Sequence, residues 1–380
     1  MNFFDKSFYN NPYEAFKHLR LNEPVCKDEK TNTYALTKHE DVLFALRNPE
    51  IFTSSLGARA NSIPQPFMID CDDPEHRTQR SIVERAFTPK KMQEYELWIR
   101  DFVNDSLSKC EAGKSFDIVQ SLLQPLPVWV IGMILGIPES DYPLLRKWGE
   151  AMVEGADGWE NVTDEVVQAV LDWFDYFDKY AKSKNGDGSD IVSSLLNAHI
   201  NDGRITYQQA QGNSLALLVG GNETARYLLT NSLYSILTHY SCWEDIVSNP
   251  LIIPGVVEEC VRFSTPVMSS IRHTTTDVRI SEAVIPQGSQ VMLMLASANR
   301  DEDVFEWSDV FLIDRKHTQN VGFGFGIHYC IGASLAKMQL RIILEEMSRM
   351  YPNAIIDDKF IPEMKASSFL RGIKNLDVIV

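Results

Sequence analysis

Residues 323–332 read FGFGIHYCIG. Three glycines (Gly324, Gly326, Gly332) surround one cysteine, Cys330. The amphipathic run ASLAKMQLRIILEEMSRM (333–350) follows at once, with Leu335, Met338 and Ile342 on one helical face. Glycine permits tight turns and lets the backbone approach a flat group closely. A cysteine just ahead of a helix lies near free backbone N–H groups and the positive end of the helix dipole, which favour the thiolate. The same donors would temper electron donation from the sulfur to a metal. Read alone, the segment also fits a buried, inert cysteine after a glycine loop. The other cysteines, Cys26, Cys71, Cys110, Cys242 and Cys260, are scattered without a CxxC pair. That spacing fits neither a disulfide framework nor a structural zinc site.

Upstream, a long helical stretch from about Thr206 to Tyr240 contains GGNET at 220–224. Two adjacent glycines inside a helix cost roughly 1 kcal/mol each relative to alanine. Such a helix has a reason to keep them. One is a local kink that opens room. The other is close packing of a neighbouring helix, with Glu223 solvated and Thr224 bonding back to a carbonyl of its own helix. The residues alone leave both open.

The pattern from about Pro89 to Gly203 is helical, as in MQEYELWIRDFVNDSLSKC and TDEVVQAVLDWFDYFDKYAKS, and VVEECVRF (256–263) reads as a short helix. Between Ser269 and Leu295 the text turns strand-like, with SSIRHTTTDVRI and AVIPQGSQVMLML. A turn-rich stretch from Asn299 to Phe325 leads into the cysteine loop. The expected fold is mainly α with a minor β part, in a single domain over 1–380, since no repeat or linker-like tract divides the chain.

With 44% hydrophobic and 23% charged residues, the 380-residue chain has an ordinary soluble composition. No stretch approaches the ~20 apolar residues of a membrane helix. The opening MNFFDKSFYNNPYEAFKHLR lacks the layout of a signal peptide. The expectation is a cytoplasmic protein with no membrane anchor. A formal charge of −16 opposes binding to nucleic acid or anionic lipid.

The pattern FGxGxHxCxG, carried here by Phe323, Gly324, Gly326, His328, Cys330 and Gly332, resembles the haem-binding signature of the cytochrome P450 family. GGNET resembles that family's (A/G)G-x-(D/E)-T segment, and Glu259-Cys-Val-Arg262 resembles its ExxR pair. DDPEHRTQR (72–80), with His76 and Arg80 one helical turn apart, and AFTP (86–89) fall where the resemblance places them. The likeness covers nearly the whole chain in segment order.

It implies that haem b (iron protoporphyrin IX) sits between the long distal helix and the cysteine loop, with Cys330 as the axial thiolate ligand of the iron. Phe323 would cover the sulfur. His76, Arg80, Arg272 and His328 would hold the propionates, for which cationic donors are suited. Gly220 and Gly221 would make room for dioxygen, and Glu223 and Thr224 would be the catalytic pair that relays protons through water. Glu259 and Arg262 would tie the proximal core to the haem loop. In EWSDVFLIDR (306–315) Val310 occupies the place where the family usually supplies a further basic partner, and Arg315 is a possible substitute.

The implied reaction is monooxygenation: one atom of O2 enters an apolar C–H or C=C bond and the other leaves as water. Substrate contacts are expected in the stretch Leu56 to Ile69 (Leu56, Phe67, Met68), in Met152 to Val162, near Leu217 and Gly221, and in TPVMSS (Val267, Met268). These segments are largely apolar, which points to an apolar or amphipathic small molecule. The text around GGNETxR and RAFTPK is similar to branches acting on steroids, terpenoids and long-chain lipids, and natural-product tailoring is equally open. The chain has no GxGxxG fingerprint, flavin domain or ferredoxin-like cysteine cluster. A separate ferredoxin with its ferredoxin reductase is therefore the expected electron donor to a monomer, docking near Arg77 and Lys337. The competing readings are a peroxide-driven peroxygenase of the same fold, a non-catalytic haem sensor or carrier, and a helical binding protein without haem.

Overall fold

The computed structural model describes residues 2–60, 62–158, 161–184, 190–316 and 319–380. The N-terminal third alternates short helices and strands: α1 (Tyr13–Asn22), β1 (Val25–Asp28), β2 (Thr33–Leu36), α2 (His39–Arg47) and β3 (Phe52–Thr53). A helical series follows, with α3 (Glu75–Val83), α4 (Pro89–Ser108), β4 (Ser115–Asp117), α5 (Pro125–Leu135), α6 (Tyr142–Glu154), α7 (Asp164–Lys182), α8 (Ile191–Ile200) and α9 (Tyr207–Thr238). Then come α10 (Cys242–Ser248), α11 (Ile253–Phe263), β5 (Ser270–Thr274), β6 (Val278–Ile280), β7 (Ala283–Ile285), β8 (Gln290–Leu293) and α12 (Leu295–Ala298). The chain ends with α13 (Ala333–Met350), β9 (Ile355–Ile356), β10 (Met364–Ala366), β11 (Arg371–Ile373) and β12 (Asp377–Ile379). The mainly helical expectation holds. The stretch 89–203 is not helical throughout, because β4 and a π-helical turn at Val119–Leu123 interrupt it.

Helix α9 is the axle of the molecule. It opens on a capping box: the Thr206 side chain accepts from Gln209 N–H, and the Gln209 side chain accepts from Thr206 N–H. Every residue from Ala225 to Leu233 is buried, as befits a helix that runs through a core rather than over it. Helix α5, PLPVWVIGMIL, is apolar on all sides and packs on α9, ending at Gly136 with φ 77°. Helix α6 flanks α9 and α13 packs on α4. The main core joins these helices through residues such as Leu122, Ile131, Trp173, Leu229 and Leu340.

The larger sheet has the order β1-β2-β8-β5-β3. Strands β2 and β8 pair in parallel, Thr33 opposite Gln290 and Leu36 opposite Leu293. Strand β5 is thereby fixed between β8 and β3, which sets the position of Arg272. A separate apolar cluster of Phe3, Tyr9, Phe16, Ile271 and Met292 packs the N-terminal segment on this sheet. No helix among the described residues is long and apolar enough to cross a membrane.

Candidate active site

The cysteine loop owes its path to two glycines. Gly324 and Gly326 have φ of 69° and 72°, where a side chain is strained, and a Cβ on Gly326 would lie 2.4 Å from the Leu46 carbonyl oxygen. Gly332 needs no such conformation; a Cβ there would meet the Cys330 sulfur at 3.9 Å. The Cys330 N–H donates to the Phe323 carbonyl at 3.0 Å, so the loop closes on itself. The Phe323 ring lies 5.7 Å from Lys337 Nζ. Cys330 is solvent-accessible, unlike Cys26, Cys71, Cys242 and Cys260, which are buried. Desolvation by the surrounding protein raises its thiol pKa, while the Gly332 and Ala333 N–H groups and Arg80 pull it back. The sulfur therefore sits at a helix start, among donors.

Four basic side chains converge beside this loop. The His76 and His328 rings are 4.4 Å apart, and Arg80 donates to the Ile327 carbonyl at 3.2 Å. Desolvation and the charges of Arg272, His76 and Arg80 push the His328 pKa down to about 2. His328 is therefore neutral, and its Nε2 is buried with no hydrogen-bond partner. Burial lowers the pKa of Arg272 to about 10; its Nη1 donates only to Ser270 Oγ at 2.9 Å and the Ile271 carbonyl at 2.7 Å. Burial also lowers the His76 pKa, against the pull of Asp73. Among the described residues, the carboxylates in ion-pair contact with the four are Asp73, at 3.4 Å from His76, and Glu84, at 2.6 Å from Arg80. Mutually repelling cations and an orphan imidazole, held in fixed positions, suit a ligand that brings two carboxylates. The donor set fits a flat dianionic cofactor with a metal that accepts one thiolate.

The GGNET segment divides its two glycines between different tasks. A Cβ on Gly221 would meet Ile131 of α5 at 3.0 Å, so this glycine allows two helices to pack closely. A Cβ on Gly220 would meet nothing within 4 Å. Gly220 and Thr224 share the open face, with Thr224 Oγ1 donating to the Gly220 carbonyl at 2.6 Å. Gly221 thus has a helix-packing task, while Gly220 leaves the open side of α9 unobstructed. The helical assignment of α9 runs through both residues. Glu223 is buried rather than solvated. Its Oε2 accepts from Arg226 Nη1 at 3.0 Å, and its Oε1 has no partner. Burial raises its pKa, opposed by Arg226 and assisted by Glu150.

On the proximal side, Arg262 grips Glu259 through two bonds of 2.8 and 2.7 Å and donates to the carbonyls of Asn299, Ser308 and Val310. Arg315 Nε completes the group at 2.9 Å from Glu259 Oε2. Val310 contributes its carbonyl, which accepts from both arginines, while its residue surface faces outward. The trio crosslinks α11 to the turn-rich segment leading to the cysteine loop.

Among the expected substrate contacts, Leu56 is exposed, and Phe67 packs where a Cβ on Gly212 would touch its ring. The Met68 N–H donates to Asn213 of α9 at 3.1 Å. Val267 bridges to Leu370 beside the β10–β11 hairpin. Met268 is fully buried in a cluster with Phe3, Ile271 and Met294, and Leu217 is buried in the main core. Trp159 and Glu160, inside the expected segment Met152 to Val162, lie outside the described residues. Sequence reasoning passed over Arg226 as a partner of Glu223, although the i,i+3 spacing in GGNETAR was a legible signal.

A sequence model described as cytochrome P450 matches residues 241–380. A steroid C26-monooxygenase of Mycolicibacterium smegmatis is 33% identical to this chain, over 96% of it and 92% of the relative. Cytochrome P450 109 of Bacillus spizizenii is 34% identical, over 97% of this chain and 91% of its own. The crystal structure of CYP109E1 from Bacillus megaterium in complex with testosterone superposes with a TM-score of 0.90. It is 31% identical and covers 98% of this chain and 99% of that one. These matches over nearly the full length establish that the chain belongs to the cytochrome P450 family and is a haem b-dependent monooxygenase.

Proposed function

We propose that the enzyme oxidises an apolar C–H or C=C bond of an amphipathic, steroid-like molecule. We further propose that it draws electrons from a separate ferredoxin and ferredoxin reductase, as a cytoplasmic monomer of one domain. The observation that carries the reading is the joint placement of Cys330, the four-residue basic cluster and the Gly220–Thr224 face. When bound, the haem supplies the binding and reductive activation of dioxygen. The protein's own residues do the rest. The Cys330 sulfur serves as the metal ligand, with the Gly332 and Ala333 N–H groups near it. His76, Arg80, Arg272 and His328 hold the carboxylates and fix the cofactor's orientation. Thr224 places a hydroxyl oxygen on the open face of α9, its own proton given to the Gly220 carbonyl. Glu223, with a raised pKa and one free oxygen, is suited to pass protons from internal water toward that hydroxyl.

Relatives named for steroid oxidation and for a testosterone complex support the substrate class. The peroxygenase alternative needs a distal arginine free to meet a substrate carboxylate. Arg226 is on α9 but turns away, donating to Glu223 and to the Lys374 carbonyl at 2.8 Å. Two cations suit the donor's docking face: Arg77, paired only with Asp73 and largely exposed, and Lys337, paired with Glu258. Charge reversal at both should slow reduction at low salt; unchanged reduction kinetics would remove them from the docking face. The function itself is tested with purified protein. Expected are a carbon-monoxide difference band at the thiolate–haem position and steroid-dependent oxygen consumption with ferredoxin, reductase and NAD(P)H. Turnover supported by peroxide but not by that couple would establish the peroxygenase instead. A haem protein without substrate-dependent oxygen consumption would be a sensor or carrier.

A further inference from the structure

The stretch 56–69 contains a single charged side chain, Arg59. It lies in a segment tied to the sheet, because the Ile271 N–H donates to the Ala58 carbonyl at 3.2 Å. Arg59 and Ala58 line a small recess closed by Ala156 after α6, by Ser270 of β5, and by Ser368 and Phe369 between β10 and β11. The recess has room for about one oxygen-sized group. Its walls are apolar except for Arg59 and the serines.

Two donors at this place are unsatisfied or free. Arg59 Nε is buried and has no acceptor among the described residues. Ser270 Oγ accepts from Arg272, which leaves its own proton available. A buried guanidinium N–H without an acceptor is costly, and what an oxygen in the recess would meet is the part of the Arg59 side chain that stays open. The charge of Arg59 is already answered. Asp70 lies 3.4 Å from Nη2, and the Ala58 and Gln65 N–H groups hold that carboxylate at 2.9 and 3.0 Å. Asp70 is fully buried, whereas the Arg59 side chain is 30% exposed, so the anion anchors the cation. A second carboxylate brought to Arg59 would face Asp70 across one guanidinium. A neutral oxygen would gain the hydrogen bond without that repulsion.

We propose that Arg59 is a specificity-determining residue that donates to a keto or hydroxyl oxygen at the end of the substrate remote from the oxidised carbon, selecting neutral oxygen over carboxylate. The proposal deepens the amphipathic-substrate reading above and rests on it. Its test uses the holoenzyme and three ligands of one skeleton: testosterone, its analogue lacking the 3-oxygen, and a 3-carboxylic acid analogue. Affinities are read by calorimetry and by the haem spin-state shift. The wild type should bind the ketone at least tenfold tighter than the deoxy analogue and tighter than the acid. Arg59→Met should reduce the ketone preference below threefold, and Arg59→Lys should restore part of it. Asp70→Asn should shift preference several-fold toward the acid. Equal wild-type affinity for ketone and deoxy analogue, no binding of the ketone, tighter binding of the acid, or a preference that survives Arg59→Met would each overturn the proposal. Substrate-free protein lacking the thiolate–haem band would instead remove the haem reading, and calorimetry separates the two failures.

Discussion

Replacing Arg315 by methionine should destabilise the protein by about 3 kcal/mol, because the variant keeps the alkyl stem and loses every donor. The lost contacts are one charge-assisted bond to Glu259 at 2.9 Å and donations to the Glu306, Trp307 and Val310 carbonyls. A hydrogen bond to a charged group is worth ~1.5–3 kcal/mol, and the three carbonyls lie where water can replace much of what they lose. Glu259 is not orphaned, since Arg262 still holds both its oxygens and the Leu312 N–H donates at 2.9 Å. Arg262→Met is the harsher change. It leaves Glu259 with one cation and strips the Asn299 and Ser308 carbonyls inside the core, for a cost of about 5 kcal/mol. A chain of 380 residues has an unfolding entropy of roughly 0.8 kcal/mol/K. The expected falls in melting temperature are therefore about 4 °C for Arg315→Met and about 6 °C for Arg262→Met, measured at one scan rate with Soret absorbance followed in parallel. Val310→Arg in the Arg315→Met background should restore nothing, because that residue faces outward. A melting temperature for Arg315→Met within 1 °C of wild type, or rescue by Val310→Arg, would refute the reasoning.

Asp41 is buried in the first turn of α2, and desolvation, with help from Glu40, pushes its pKa up to about 6. The native state thus binds the extra proton between about pH 4 and 6, so this group's contribution falls as pH rises through that window, by about 3 kcal/mol in all. Asp41→Asn should raise the melting temperature at pH 7.5 by about 4 °C more than at pH 4; a pH-independent difference would be contrary evidence. Glu223→Gln and Thr224→Ala should each raise the peroxide released per NAD(P)H consumed several-fold while leaving the substrate-induced spin shift intact, and unchanged coupling would take them out of proton delivery. Gly212→Ala places a methyl 2.3 Å from the Phe67 ring, which should push the 56–69 segment outward and weaken substrate binding at least threefold at a stability cost of ~1–3 kcal/mol. Wild-type affinity in that variant would mean that Phe67 moves aside freely.

The parts of the site written in contiguous residues were legible from the chain. The cysteine loop, the helix starting at Ala333, the capped helix around GGNET and the Glu259–Arg262 turn all depend on local spacing, and each lies where that spacing puts it. Local pattern fails where the partner is distant in sequence. Val310 stands where a further basic partner is usual and Arg315 was a possible substitute; the turn geometry shows that the Arg315 side chain reaches Glu259. The two glycines of GGNET are indistinguishable in the text; 100° of helix rotation sends one to Ile131 and the other to the open face. Met268 reads as a pocket residue by position, and nothing near it in sequence announces that it shares a buried cluster with the N-terminal Phe3. Arg59 passes unremarked in the text, because nothing in its neighbourhood announces that Asp70 is buried beneath it.

The parallel pairing of β2 with β8 also has a consequence for how the chain comes into being. Thr33 and Gln290 are 257 positions apart, so at ~5–20 residues per second the ribosome needs roughly 13 to 50 s between making one strand and making its neighbour. During that interval the β1–β2 ribbon has an open edge with Tyr34 and Leu36 on it, the kind of edge on which chains pair wrongly. The helical middle can assemble while it waits. The strand that orients Arg272 cannot, because β5 is flanked by β8 and β3. Cofactor capture through that arginine therefore waits for β8, and its yield in a cell will depend on how well the exposed N-terminal ribbon is shielded until that strand has been made.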